Sequence, residues 1–314
     1  MLSAKREKKA ERVSEELGIS SIKHYKLRSH IFRARDKKLA LGERTALMGV
    51  VNVTPDSFYE GSRYPEVSEA IDIALALIEA GADIVDIGGE STRPGSREVP
   101  VGEELERVLP VLEGVRARTE ALLSIDTKKA AVAERALEAG ADIVNDVSAF
   151  GDDGMARVAA RARAGVVLMH MRDTPETMQR EPVYEDVVGE VKAYLRNAVE
   201  RAEAAGVSGE SILVDPGIGF GKTLEHNLTL LRELGALGEL GKPVLVGTSR
   251  KSFIGRLLSD TSENRIFGTA GSVATAVLNG ASVVRVHDVH EMSDVVTVVD
   301  AVRTATRLPQ EVAP

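Results

Sequence analysis

The chain has 314 residues, 43% of them apolar and 28% charged, which suits one large barrel or two ordinary domains and excludes wholesale disorder. It has no cysteine, so disulfides, thiolate metal sites and a cysteine nucleophile are excluded, and it has no apolar run of membrane-spanning length. The net charge of −8 is uneven: residues 1–44 hold 13 Lys/Arg against 6 Asp/Glu, leaving an acidic body that argues against nucleic acid as a partner.

Residues 1–40 fit no barrel unit. They read as a basic extension, helical or irregular, with no signal-peptide core, ahead of one catalytic domain at 41–314. The expected location is the cytoplasm. From Ala46 onward, short β-rich runs alternate with longer helical patterns. The expected strands are Ala46–Val51, Asp83–Ile87, Leu122–Ile125, Asp142–Val144, Gly165–Met169, Ser211–Val214, Pro243–Val246 and Ser282–Val286. Helical stretches include Val67–Ala80, Gly102–Arg118, Lys128–Ala139, Tyr184–Ala205, Thr223–Leu234, Arg265–Asn279 and a last one from Glu291 to about Arg307. Strands that are almost continuously apolar are buried on both faces, as in parallel sheets. Eight βα units of this length predict an α/β fold, a (β/α)₈ TIM barrel with a short charged N-terminal extension. The echo of Ala-Gly-Ala-Asp-Ile-Val at 80–85 and 139–144, looser at 279–284, marks turns at the barrel floor, where glycine ends a helix in the left-handed conformation.

Polar residues follow the strands one after another. Asn52, Asp86, Asp126, Asn145 with Asp146, His170 and Asp215 follow the first six. Ser249, Arg250 and Lys251 follow the seventh, and Arg285 and His287 close the eighth. One such aspartate is ordinarily a helix cap. A full set, converging on the C-terminal rim of a barrel, points to a site. Carboxylates and an amide at Asp126, Asn145 and Asp215 suit a flat heterocycle with adjacent N–H groups, such as a 2-amino-4-oxopyrimidine. Arg93, Arg285, His287 and Lys251, with the hydroxyls of Ser91 and Thr92, suit phosphate or diphosphate. The Gly/Pro-punctuated loops at 52–61 and 88–96 are long for βα loops; such loops at an active rim are often lids, while either one alone reads as an ordinary surface loop.

Two motifs are decoys. Asp215-Pro216-Gly217-Ile218-Gly219-Phe220-Gly221-Lys222-Thr223 ends like a P-loop, but the required first glycine would fall on Pro216. His287 and His290 have no third nitrogen ligand near in sequence, and His290 reads as a helix-start residue.

The segments MGVVNVTPDSF (48–58), DIVDIGGESTRPGS (83–96), SIDT (124–127), IVNDVSA (143–149), LVDPGIGFGKT (213–223), GTSRKSFIG (247–255) and VRVHDV (284–289) closely resemble the dihydropteroate synthases. The resemblance covers seven of the eight strand ends and implies a TIM-barrel transferase of folate biosynthesis, the sulfonamide target. Its substrates would be 6-hydroxymethyl-7,8-dihydropterin diphosphate and 4-aminobenzoate. It implies that Asp126, Asn145, Val147, Met169, Asp215, Phe220, Lys251 and Arg285 hold the pterin. Asn52, Thr92, Arg93, Arg285 and His287 would hold the diphosphate, with Asn52 a ligand of Mg²⁺. Phe58, Thr92, Pro94 and Ser249 would surround the aminobenzoate, and Asp86 and Glu90 would be loop supports. Among these, Asp126, Asp215, Lys251, Arg285 and Arg93 are the expected catalytic set. A homodimer, no nucleic-acid partner and no membrane partner are expected. The sequence departs from the family wording at Tyr59-Glu60-Gly61-Ser62. The rival readings are a methyltetrahydrofolate-dependent methyltransferase, which would need no diphosphate site, and a non-catalytic pterin-binding paralogue, which would have lost loop or anion residues.

Overall fold

The computed structural model describes residues 29–53, 63–92, 95–173, 177–178, 182–259 and 265–304. Its first element is an antiparallel hairpin of β1 (His30–Ala34) and β2 (Lys37–Leu41), paired from His30↔Leu41 to Ala34↔Lys37. Eight parallel strands follow: β3 (Ala46–Asn52), β4 (Ile84–Gly88), β5 (Leu122–Asp126), β6 (Ile143–Asp146), β7 (Gly165–Met169), β8 (Ile212–Asp215), β9 (Leu245–Val246) and β10 (Val283–Val286). Their order is β8-β7-β6-β5-β4-β3-β10-β9, and a parallel bridge between Val214 and Val244 closes the ring. The expected barrel is therefore present, each strand within about two residues of its expected bounds.

Between and after the strands lie α1 (Arg63–Glu79), α2 (Val101–Arg116), α3 (Ala130–Glu138), α4 (Met155–Ala162), α5 (Val187–Ala204), α6 (Leu224–Arg232), α7 (Ser252–Leu258), α8 (Ile266–Leu278) and α9 (Val289–Arg303). The short helices α4 and α7 add to the stretches expected from periodicity. Each is only two turns or so, too brief to show a repeating apolar face. The repeated Ala-Gly-Ala turns are helix caps. At the end of α3, Gly140 (φ 107°) donates to Leu137 O and Ala141 to Ala136 O. The aspartate that follows has a structural job: Asp142 accepts from Leu123 N at 3.0 Å, Arg116 Nη2 at 2.6 Å and Lys37 Nζ at 3.0 Å.

Over residues 30–41 the chain forms this hairpin and is neither helical nor irregular, which differs from the expectation for that part of the extension. Residues 1–28 lie outside the described residues. The alternation along β1 turns Phe32 and Ala34 inward, and both are 1% exposed. With Leu41 they pack on Ala46, Met48, Ile84, Leu122, Ile143, Val167, Leu213, Leu245 and Val283, so every barrel strand contributes to one apolar layer. The hairpin is the floor of the barrel. Gly165 is needed there, since a Cβ would lie 2.6 Å from the Phe32 ring. Arg35 fastens the hairpin turn through its side-chain bonds to Leu137 O and Ala141 O. With the floor plugged by apolar side chains, the strand ends at the opposite rim are left for chemistry.

Candidate active site

A cleft opens at the C-terminal rim, lined among others by Thr92, Asp126, Asn145, Val147, Met169, Asp215, Phe220, Lys251 and Arg285. Its polar centre is Arg285, which leaves β10 and crosses the barrel mouth. Nε donates to Asp86 Oδ2 at 2.7 Å and Nη2 to Asp126 Oδ2 at 2.8 Å. Asn145 Nδ2 donates to the same Asp86 oxygen at 2.9 Å. One guanidinium thus neutralises two buried carboxylates on neighbouring strands, β4 and β5. Arg285 is raised above its usual value: burial opposes its charge, but Asp86 and Asp126 outweigh it.

The carboxylates are not all spent on protein partners. Among the described residues, Asp126 Oδ1 accepts from no side chain or backbone group although it is buried. Burial pushes Asp126 up to about 7, against the pull of Arg285, with Asp86 adding repulsion. Across the cleft, Asp215 ends β8. Its Oδ1 accepts from Gly217 N at 2.7 Å. Burial raises it to about 6, with Gly217 and then Lys251 working the other way. Two buried acids this close to neutrality fit a pocket waiting for N–H donors.

The apolar walls come from Val147, Met169 and Phe220, with Met171 and Met178 in the same apolar cluster. Lys251 Nζ stands 4.0 Å from the centroid of the Phe220 ring. Burial brings Lys251 down to about 7, with Asp215 favouring its charge and Arg285 opposing it. Val147 is placed by a tight turn. Asp146 accepts from Ser148 N, Ser148 Oγ and Phe150 N, which holds Ala149 (φ 50°) and Phe150 (φ 68°) left-handed.

The anion side differs from expectation at His287. The ring is neutral, brought down to about 4 by burial and then by Arg285 and Arg250. Ser249 Oγ accepts from His287 N at 3.2 Å and lies 3.0 Å from Nδ1. The two bonds to one hydroxyl fix the orientation of the imidazole. A neutral His287 brings no positive charge to an anion. Ser249, expected beside the aminobenzoate, is committed to orienting that ring. Asn52 ends β3 opposite Gly88 and is half-buried, and Thr92 lines the cleft. Phe58, Arg93 and Pro94 lie outside the described residues.

Sequence reasoning placed Asp86 as a loop support. It is fully buried beneath Arg285 and positions the site's cation and Asn145. Glu90 does brace its loop: it accepts from Val99 N at 2.8 Å and from Lys129 Nζ, which also reaches Val99 O and Glu104. The residues that reasoning missed are Gly217, Ile218 and Gly247, which line the cleft, and Lys222, buried under the loop after β8. The Asp-Pro-Gly-Ile-Gly-Phe-Gly run was the available signal.

Residues 48–287 match the profile of the pterin binding enzyme family. A dihydropteroate synthase of Synechocystis is 46% identical over 262 residues, covering 83% of this chain and 91% of that protein. The chain belongs to the dihydropteroate synthase family. The Escherichia coli synthase is 44% identical over 259 residues, covering 82% of this chain and 92% of its own. Among solved structures, Xanthomonas albilineans dihydropteroate synthase with 4-aminobenzoic acid superposes with a TM-score of 0.82 at 43% identity. That match covers 90% of this chain and 100% of the other. The Yersinia pestis enzyme in a sulfonamide drug complex gives the same TM-score at 41% identity, with 87% and 99% covered.

Proposed function

We propose that this transferase joins 6-hydroxymethyl-7,8-dihydropterin diphosphate to 4-aminobenzoate, giving 7,8-dihydropteroate and diphosphate. The observation that carries the reading is the pair of buried carboxylates, Asp126 and Asp215, which face one cleft with acceptor capacity to spare. Asp215 keeps Oδ1 on Gly217 and takes the adjacent N–H groups of the aminopyrimidinone. Asn145 and Asp126 Oδ1 meet the ring's other polar edge, Lys251 bonds its acceptor atoms, and Val147, Met169 and Phe220 sandwich its faces. Neither rival is favoured: the relatives are synthases, and the anion residues Thr92, Arg93, Arg285 and His287 are all present in the chain.

The chemistry follows from charge. The bond between the pterin methylene carbon and the diphosphate oxygen breaks, and its electron pair leaves with the diphosphate. Asp126 and Asp215, both ionised once donors face them, stabilise the positive charge left on the ring. Arg285, Arg93, Thr92 and His287 receive the anion. The aniline nitrogen then forms the new C–N bond and loses a proton. No side-chain nucleophile is needed. Phe58, Thr92 and Pro94 would seat the aminobenzoate, and Ser249 acts through His287.

Mg²⁺ fits the donor set in a limited way. No group of three or more His, Asp or Glu converges on a common point among the described residues. Asn52 supplies a single hard carboxamide oxygen, which suits an ion that takes its remaining ligands from diphosphate and water. Such an ion supplies charge neutralisation on the leaving group.

The decisive experiment incubates purified protein with both substrates and Mg²⁺ and follows dihydropteroate by chromatography. A folded protein that makes none removes the reading. No helix among the described residues is long and apolar enough to cross a membrane. A homodimer is part of the proposal. Phe267, near the start of α8, is 88% exposed, and Leu257 and Leu258 on α7 are about half exposed. An aromatic ring left in water on a small-residue helix is suited to burial against a second copy. Phe267→Glu is expected to convert a dimer to a monomer in size-exclusion light scattering. A wild-type monomer, or a dimeric variant, would contradict this.

A further inference from the structure

Lys222 closes the glycine-rich run after β8, and nothing in the pterin pocket accounts for it. Its side chain turns inward and the residue is 3% exposed. Three polar atoms surround Nζ: His170 Nδ1 at 2.9 Å and the carbonyls Phe220 O at 2.8 Å and His170 O at 3.4 Å. An ammonium has three donors and fills this set. A neutral amine would match it only with the His170 ring proton on Nδ1. Burial works against the ammonium, bringing it down to about 7, and the Asp215 carboxylate works for it. The imidazole of His170 is held neutral, pushed to about 3 by burial and then by Lys222. That ring is fixed edge-on against Tyr194, with centroids 4.8 Å apart.

The same residues rivet two strand exits together. His170 N donates to Asp215 O at 2.9 Å. Gly217 (φ 67°) passes so close above that a Cβ there would lie 1.9 Å from His170 O. Tyr184 OH donates to Gly221 O at 2.8 Å. Met169, Asp215 and Phe220, three contacts of the cleft, all hang from the segments that Lys222 ties.

We propose that Lys222 is a positioning residue of the pterin site: it latches the loop after β8 onto His170 and supplies positive charge beneath Asp215. Its burial and its three internal partners leave it no phosphate to bind, despite the Gly-Lys-Thr setting. The inference rests on the reading of the cleft as a pterin site. The charges acting on Asp215 are Lys251, Lys222 and Arg285. Those acting on Lys222 are Asp215 and Lys251, with His170 in contact and Arg172 beyond it. Asp126 takes its field from Arg285, Asp86, Glu104 and Asp146. A change at Lys222 therefore reports on Asp215.

The test is calorimetric titration of 6-hydroxymethyl-7,8-dihydropterin between pH 5 and pH 8 into wild type, Lys222→Met and Lys222→Arg. Affinity falls at low pH as Asp215 takes up a proton near pH 6. Without the neighbouring cation that proton binds more readily, so the methionine variant loses affinity at a higher pH than wild type. At pH 7 it binds roughly tenfold more weakly, as expected for the loss of a charged hydrogen-bonded group. The arginine variant keeps the charge and leaves the acid limb in place. Two results overturn the proposal: a methionine variant within threefold of wild type with its limb unmoved, or equal losses in both variants with the limb unmoved. Because Lys222→Met can also fail to fold, ¹⁵N-lysine NMR of the wild type at pH 6 gives a second measurement. An ammonium at Lys222 is expected, and a neutral amine overturns the proposal. If wild type itself fails to bind the dihydropterin, the pterin reading falls and the ammonium result still stands or fails by itself.

Discussion

Asp215→Asn is expected to weaken dihydropterin binding by a factor of thirty to several thousand, corresponding to a loss of about 2–5 kcal/mol for a buried charge-assisted pair. The substitution changes little else. The Asn Oδ1 still accepts from Gly217 N, so the loop after β8 keeps its anchor. Its amide nitrogen then faces the ligand's own N–H groups, donor against donor, in a cleft where water cannot mend the mismatch. Asp215 is 6% exposed. The wild type should also bind less well as pH falls through about 6, because burial has raised the carboxyl to that value and only the ionised form accepts two N–H bonds. Calorimetry at pH 7.5 checks the first statement, with a thermal melt to show that the variant is folded. Affinity within threefold of wild type would mean that the aminopyrimidinone is read elsewhere.

Arg285→Met is expected to damage both activity and stability, for one reason. The guanidinium is the shared counterion of Asp86 and Asp126, and it bonds both. Methionine fills the volume but leaves two carboxylates facing each other in a buried site. Breaking such a pair costs about 3–5 kcal/mol when the orphaned charge stays ionised. The protein's escape is protonation. Asp126 already stands at about 7 and rises further without Arg285. A carboxyl whose folded value lies above its unfolded one contributes stability at low pH that is lost as pH rises through the folded value. The deficit of the variant should therefore be large at pH 8 and shrink towards pH 5. kcat/KM should fall by about a thousandfold or more at pH 8, since under the proposed function the cation serves both the pterin ring and the leaving anion. Asp126→Asn added to Arg285→Met should recover stability and not activity. Thermal melts at the two pH values, alongside steady-state rates, decide it. A pH-independent deficit, or activity within tenfold of wild type, would show that Arg285 does not carry this charge balance.

What the sequence determined by itself was the barrel and the polar rim at its C-terminal end. Strand character is local: Ala46–Val51 and Gly165–Met169 are apolar throughout and bounded by turn chemistry, so each announces a strand buried on both faces. Once eight such strands alternate with helices, a parallel barrel places Asp126, Asn145, Asp215, Lys251 and Arg285 at one end with no further information. The cap glycines Gly81, Gly140 and Gly280 were legible for the same reason, because a helix end is a matter of a few adjacent residues.

Only the tertiary structure decided which partner each polar group takes. Asp86 and Asp126 look alike in sequence, and their difference is that Arg285, 199 and 159 residues away, spends Nε on one and Nη2 on the other. The charge state of His287 depends on burial among Arg285, Arg250 and Ser249, which no window around Val-His-Asp reveals. The spacing around Gly-Lys-Thr already excludes a P-loop, but that Lys222 is buried against His170, at the end of the neighbouring strand, is visible only in the fold. The hairpin at residues 30–41 alternates over only five residues per strand, too short a signal to separate from an irregular arm. Its meaning comes from the barrel floor, an apolar surface made of all eight strands that must be covered, and Phe32 covers it. Local propensity and periodicity act through neighbours in the chain. Pairing, burial and electrostatic shift act through space, and they are where this protein's chemistry is set.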